Sequence, residues 1–303
     1  MFNKIALKIR KLFPNAYQIL LNVKQGRYKY VFSKDKYPYS FLANTPPSTY
    51  KGEKAPEVIY CFWTGDNPLT ENRKKGLETL EKTAGIPVKL ITPQNLSEYI
   101  KPDFPLHKGY KFLSYIHRSD YLRCYFMHHY GGGYADVKPF EHSWKPAFEK
   151  LNKHKNKYII GYPELLYGGI TPVNHSFLPD KSVYIDYEQK KDSEEKVFKD
   201  LEKHTPLLIG SCSFICKPNT PITKEWYDEL HKRMDIAYDS LKKFNEEEEN
   251  TFIYYDMKYP EKDKGYPIPY FHLLGQIIHP LQLKYHKHIA HYKKLLPVLK
   301  DYR

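Results

Sequence analysis

The sequence predicts an α/β fold, a mixed sheet flanked by helices with its ligand site at the carboxyl ends of the strands. Three observations carry this. The apolar run Val58-Ile59-Tyr60-Cys61-Phe62-Trp63 is followed by a polar helical stretch and a second strand, Val88 to Ile91, which is β-α-β order. The stretch Leu113 to Phe140 reads as an amphipathic helix, a glycine break and a short strand that delivers the carboxylate of Asp136 to an edge where the backbone turns. Finally, 303 residues at 41% hydrophobic content, with 29 tyrosines, suffice for a packed, aromatic-rich core and exclude a disordered chain.

Residues 1 to about 30 mix Ile5, Leu7, Ile9, Leu12 and Phe13 with Lys4, Lys8, Arg10 and Lys11. Such a basic, partly amphipathic arm suits either a helix packed on its own domain or one lying on an anionic membrane surface. Pro38, Pro46, Pro47 and Pro56 among polar residues mark a linker, so the chain divides into an arm and linker over 1–50 and a main domain over 51–303.

The main domain opens with the buried strand Val58 to Trp63, closed by the turn residues Thr64 to Pro68. A helix from about Glu71 to Thr83, with Gly85 at its stop, leads to a strand over Val88 to Ile91. A short helix over Asn95 to Ile100 and the loop Pro102 to Pro105 feed the central helix. There Phe112, Ile116, Leu122, Cys124, Phe126 and Met127 recur at helical spacing through His129. Gly131, Gly132 and Gly133 end it, because glycine accepts the left-handed conformation a helix stop requires. Tyr134 to Val137 follows as a strand, and Tyr158 to Tyr162 as another. A polar, lysine-rich excursion spans about Pro179 to Lys203, Leu207 to Ile215 forms a late strand, and Ile222 to Phe244 a long helix. Glu246 to Glu249 reads as a solvated acidic loop, and the tail from Tyr266 onward is helical and histidine-rich.

The formal net charge of +13 comes from lysines scattered along the whole length, and no nucleic-acid motif stands beside it, so no nucleic-acid partner is expected. Cys61, Cys124, Cys212 and Cys216 form no CxxC pair and fit reduced thiols; Cys212 and Cys216 alternate with Phe214 and suit a buried strand face. No run approaches the ~20 apolar residues of a spanning helix, and no signal-peptide pattern opens the chain, so the expected location is cytoplasmic.

Asp120 and Arg123 lie three apart on the central helix and so share one side, as a surface ion pair or as an acceptor beside a fork of donors. Asp136 sits where α/β sheets place ligand groups, with Lys138 two residues on and on the same side if the strand continues. The bland alternative is a turn-capping aspartate beside a solvated lysine.

The combination of Ser119-Asp120-Tyr121-Leu122-Arg123 with Tyr130-Gly131-Gly132-Gly133-Tyr134-Ala135-Asp136 resembles the SDxLR and GGxYxDxD signature of the DXD-containing and capsular polysaccharide synthesis glycosyltransferases. The glucosylating bacterial toxins share a version of it, and the looser likeness runs from about Pro56 to about Pro280. The resemblance implies a GT-A-like, Rossmann-like nucleotide-sugar-binding domain that transfers a sugar with retention from a donor, a UDP-sugar, to a glycan or lipid-linked glycan acceptor of a growing surface polysaccharide. It implies that Asp120 and Arg123 bind the transferred sugar's hydroxyls, that Trp63 stacks on the donor base, and that Asp136 stands at the diphosphate. His272 and His279, in a tail that looks like a capsular-synthesis enzyme ending, become candidate diphosphate or metal contacts.

One departure from the pattern stands out: Lys138 occupies the position of the second acidic residue of DXD, which in the family contacts a divalent cation. The expectation is that the Lys138 ammonium partly replaces that cation's charge. The alternative is that Asp136 and other groups still hold Mn²⁺ or Mg²⁺. Two other functions stay open: a toxin-like transferase acting on protein, and a noncatalytic nucleotide-sugar-binding or glycan-binding relative.

Overall fold

The computed structural model describes residues 30–47, 49–164, 170–171, 187–247 and 266–300. Within them a six-stranded mixed sheet, ordered β2-β1-β3-β5-β4-β6, is flanked by six helices, an α/β arrangement consistent with a Rossmann-like GT-A domain.

Strand β1 (Ile59–Phe62) is buried at all four residues, as an apolar run in a sheet covered on both faces must be. Helix α1 (Glu71–Ala84) starts where the Thr70 side chain accepts the Arg73 amide. It returns the chain to β2 (Val88–Ile91), which pairs parallel with β1 from Ile59↔Val88 to Phe62↔Ile91 and is the half-exposed edge. The short helix expected at 95–100 is a 3-10 turn, Leu96–Tyr99, and Asn95 sets its start by accepting the Thr92 amide and donating to the Leu90 carbonyl.

Helix α2 (Tyr115–His129) begins three residues later than its apolar pattern, because Ser114 caps it by accepting the His117 amide while Tyr110–Phe112 forms a separate 3-10 turn. It is not amphipathic: Asp120 through His129 are all buried. The sheet covers one side, while the long helix Pro221–Glu247 and the loop before α2 cover the other. That loop is tied on by Tyr125, whose hydroxyl donates to the Phe104 carbonyl and accepts the Lys101 amide. Tyrosine hydroxyls and histidine rings pair across this second face, as Tyr121 does with His231 and His128 with Thr223, while the buried Nε2 of His129 has no hydrogen-bond partner among the described residues.

Gly131 and Gly132 carry the chain out of α2 at φ +66° and +88°. A Cβ on Gly132 would stand 2.8 Å from the Val58 carbonyl oxygen, so only glycine fits as β3 (Gly132–Ala135) lies down parallel to β1. The strand therefore starts two residues earlier than Tyr134 and stops just before Asp136.

Helix α3 (Lys145–Lys153) and β4 (Ile159–Pro163) follow. The lysine-rich excursion ends in a helix, α4 (Tyr187–Lys203), which the charge pattern hides but which buries Val197 and Leu201 one turn apart. The late strand β5 (Ile209–Cys216) runs antiparallel between β3 and β4, and the register against β4 shifts between Gly161 and Pro163. Past that irregularity Cys212 no longer shares an environment with Phe214 and Cys216. It packs at the edge of the second core cluster, while they lie in the first. All four cysteines are free. Helix α5 (Pro221–Glu247) is longer than expected and takes in Glu246, read as loop. Helix α6 (Gly275–Lys284) and β6 (Ile289–His291), parallel to β4, complete the sheet layer.

The proline-rich segment read as a linker is packed structure over residues 34–47. Tyr37 and Leu42 are buried, the Tyr37 hydroxyl and the Lys36 ammonium both bond Asp200 of α4, and Lys284 of α6 donates to the Leu42 and Asn44 carbonyls. Prolines fixed the backbone here, but the aromatic and apolar side chains between them decided its burial. The basic arm lies outside the described residues apart from Tyr30, as do Gly168 and Gly169 and much of the excursion. Among the described residues no helix is long and apolar enough to cross a membrane.

Candidate active site

Three elements meet at the carboxyl ends of β1 and β3. Helix α2 contributes Asp120 and Arg123, the end of β3 contributes Tyr134, Asp136 and Lys138, and the neighbouring strand β5 contributes Ser211 and Cys212. The i,i+3 spacing on α2 does what helix geometry requires, setting Arg123 Nη2 3.6 Å from Asp120 Oδ1. This is no surface pair, for the side chains are only 7% and 8% exposed.

Arg123 is the hub. Its Nη1 donates to the Ser211 carbonyl at 3.0 Å, its Nη2 donates to the Tyr134 hydroxyl at 2.6 Å, and the guanidinium lies 4.0 Å from the centre of the Tyr134 ring. Tyr134 passes the contact on, donating to Asp136 Oδ1 at 2.6 Å, and Arg123 Nη2 also stands 3.6 Å from that oxygen. The other oxygen, Oδ2, receives the Lys138 ammonium at 2.8 Å, and Lys138 in turn reaches Cys212 Sγ at 3.3 Å. The backbone is fixed too: the Asp136 amide donates to the Cys212 carbonyl, and the Lys138 amide folds back on the Asp136 carbonyl at 2.7 Å. That tight turn, not a continuing strand, brings Lys138 to the same side as Asp136.

The two carboxylates differ in charge because their surroundings differ. Burial raises Asp120 to about 7, against the pull of Arg123 and with a push from the neighbouring charge of Asp136. Burial also opposes the charge on Asp136. There the Lys138 ammonium, the Arg123 guanidinium and the hydrogen bonds from Lys138 and Tyr134 prevail and hold it down at about 2. At neutral pH Asp136 is an anion clasped by two cations, while burial disfavours the charge on Asp120. Asp136, at 23% exposure, is also more open than Asp120, Arg123 and Lys138, so it faces whatever enters.

Trp63 stands just past β1, half-buried, outside both core clusters, with its indole N–H donating to the Asn67 carbonyl at 2.6 Å. Since Ile59 and Tyr60 pair with Gly133 and Tyr134, Trp63 and Asp136 lie on adjacent strand ends. His279, on α6, joins the edge of the cluster: its Nε2 lies 3.4 Å from Ser211 Oγ and its Nδ1 accepts the Thr171 amide. Burial pushes it down to about 4, so it is neutral at pH 7. His272 bonds Gln276 and, through its carbonyl, Arg233. His286, His288 and His291 hold backbone carbonyls of Leu283, Asn156 and Leu208.

Sequence reasoning passed over Tyr134, Ser211 and Cys212. Alternation two residues before Asp136 would have found the tyrosine; nothing local announces that β5 inserts beside β3.

The donor set does not suit a divalent cation as it stands. Both Asp136 oxygens already accept from N–H or O–H donors, a lysine ammonium lies against one of them, and no group of three His, Cys, Asp or Glu side chains among the described residues could hold a metal ion.

No curated protein and no solved structure matches the chain. Over residues 17–157, a little under half of the chain and including Trp63, Asp120, Arg123, Asp136 and Lys138, the sequence matches the model of a family described as capsular polysaccharide synthesis protein.

Proposed function

We propose that this chain is a glycosyltransferase that moves a sugar from a nucleotide-sugar donor, a UDP-sugar, to a hydroxyl of a growing capsular or other surface polysaccharide, with retention. The observation that carries this reading is the buried relay Arg123–Tyr134–Asp136–Lys138 with Asp120 beside it, at the strand ends where α/β sheets bind nucleotides. The family match points to the same biosynthetic setting.

The chemistry asks for a grip on the diphosphate, orientation of the sugar, and stabilisation of charge as the anomeric bond breaks. In this reading Asp120 accepts from, and Arg123 donates to, hydroxyls of the sugar. Arg123 Nε is buried without a hydrogen-bond partner among the described residues, a state that costs ~1–3 kcal/mol and that a ligand oxygen would relieve. Asp136 and Lys138 stand at the diphosphate, Trp63 walls the base, and His279 backs the site through Ser211. The acceptor oxygen bonds to the anomeric carbon as that carbon's bond to the β-phosphate oxygen breaks, and the acceptor proton leaves with the nucleoside diphosphate.

The test is nucleoside diphosphate release from a panel of nucleotide sugars, with and without an oligosaccharide acceptor. One donor should turn over, and Asp136→Asn should reduce its turnover by at least ~100-fold, as loss of a charge-assisted contact of ~3 kcal/mol requires. Donor binding without turnover would select a noncatalytic nucleotide-sugar-binding protein. A panel in which no donor binds or reacts would refute the reading.

A further inference from the structure

The charge at the donor corner has the wrong sign for a cation and the right sign for an anion. Arg123 and Lys138 stand there against Asp120 and Asp136, with the Arg73 guanidinium at the neighbouring Val137 carbonyl, and burial raises the Asp120 carboxyl, which disfavours its charge. Arg73 belongs to this group because its Nη1 donates to the Val137 carbonyl at 2.7 Å, next to Lys138 in the chain. Helix α1 is held close at the same place. A Cβ on Gly76 would lie 3.1 Å from Lys138 Cα, so the turn of α1 that carries Arg73 rests directly on the Lys138 backbone.

We infer that this site binds the diphosphate of its donor without a divalent cation, the Lys138 ammonium, with Arg73 beside it, taking the cation's place. The inference rests on the glycosyltransferase reading and deepens it. A metal ion coordinated by Asp136 would share Oδ2 with the ammonium at 2.8 Å or Oδ1 with the Tyr134 hydroxyl at 2.6 Å, and would sit beside Lys138 and Arg123 as a third positive centre. A diphosphate meets one like charge, the Asp136 carboxylate, whose oxygens already accept from Lys138 and Tyr134. The diphosphate's own oxygens accept what the ammonium donates, and Lys138 is held in place by Asp136 and Cys212 before the ligand arrives. Asp136 acts as the holder of the lysine where a metal-dependent site would use it as a ligand.

The experiment is binding of UDP, GDP and ADP to the full-length protein by calorimetry, first in excess EDTA and then in Mn²⁺. The inference expects one of the three to bind with the same affinity in both buffers, within about twofold. Lys138→Ala should weaken that nucleotide by at least ~10-fold while Lys138→Arg, which keeps the charge, retains most of the affinity. Lys138→Asp should bind it only when Mn²⁺ is present, with bound Mn²⁺ visible by electron paramagnetic resonance. Wild-type binding that disappears in EDTA and returns with Mn²⁺ would overturn the inference and leave the glycosyltransferase reading standing. Failure of all three nucleotides in both buffers would take down the reading and the inference together. The chelator comparison needs no variant, so a poorly folding substitution would not blunt it.

Discussion

Replacing Tyr134 with phenylalanine removes one oxygen atom from the centre of the site and leaves its packing in place. The hydroxyl accepts from Arg123 and donates to Asp136, each at 2.6 Å, so it links the helix that carries Asp120 directly to the strand end that carries Lys138. The ring stays where it was, stacked on Phe62 at 5.6 Å and beneath the guanidinium at 4.0 Å. Hydrogen bonds to charged groups are worth ~1.5–3 kcal/mol each, but Arg123 and Asp136 already stand 3.6 Å apart and can close part of the gap. A net loss of ~2 kcal/mol in the alignment of the site corresponds to a ~30-fold fall in kcat for nucleoside diphosphate release. The same loss in the ground state should lower Tm by a few degrees, at ~2–4 °C per kcal/mol for a large domain. The assay is steady-state release of the nucleoside diphosphate from the reactive donor, with melting followed in parallel. Tyr134→Phe turning over within about twofold of wild type would refute the relay as a device that positions Asp136.

Arg123→Lys keeps a positive charge but cannot reach the Ser211 carbonyl and the Tyr134 hydroxyl together, so turnover should fall at least ~100-fold with folding retained by circular dichroism. Gly132→Ala places a Cβ against the Val58 carbonyl at φ +88°, and a drop in urea stability of ~1–3 kcal/mol is expected where the β1–β3 pairing begins. Acid should loosen the helical layer well above the pH at which Asp136 loses its charge. Burial lowers His117, His128 and His279 to about 4 and His129 to about 3, so the unfolded chain takes up their protons first. Their contribution is full above pH ~6.5 and is lost as pH falls towards 4, by at most ~1.4 kcal/mol per pH unit for each. Asp120, raised to about 7, and Glu225, also raised by burial, work in the opposite direction, against these four histidines and His231, which burial lowers to about 4 as well. Urea midpoints that did not fall between pH 7.5 and 5 would contradict this balance.

Where the sequence was legible, the reason was local. Strand β1 is a short apolar run closed by turn residues, α1 is a polar helical stretch stopped at Gly85, and the i,i+3 pair on α2 fixes Asp120 beside Arg123 whatever surrounds the helix. What stayed hidden depends on partners distant in the chain. That α2 is buried on every side follows from α5, which begins about ninety residues after it. The insertion of β5 between β3 and β4, which brings Ser211 and Cys212 to Arg123 and Lys138, cannot be read from strand patterns alone, since a strand's apolar run does not name its neighbour. The lysines of α4 mask Val197 and Leu201, and the prolines at 38–47 suggested a tether where Tyr37 and Leu42 in fact anchor the segment.

The most direct measurement is a crystal structure of the full-length protein with a nucleotide sugar bound. The account predicts the diphosphate within hydrogen-bonding distance of the Lys138 ammonium, the sugar hydroxyls on Asp120 and Arg123, and the base against Trp63. A donor seated elsewhere, or a corner still closed by its own ion pairs with the ligand outside it, would contradict the account.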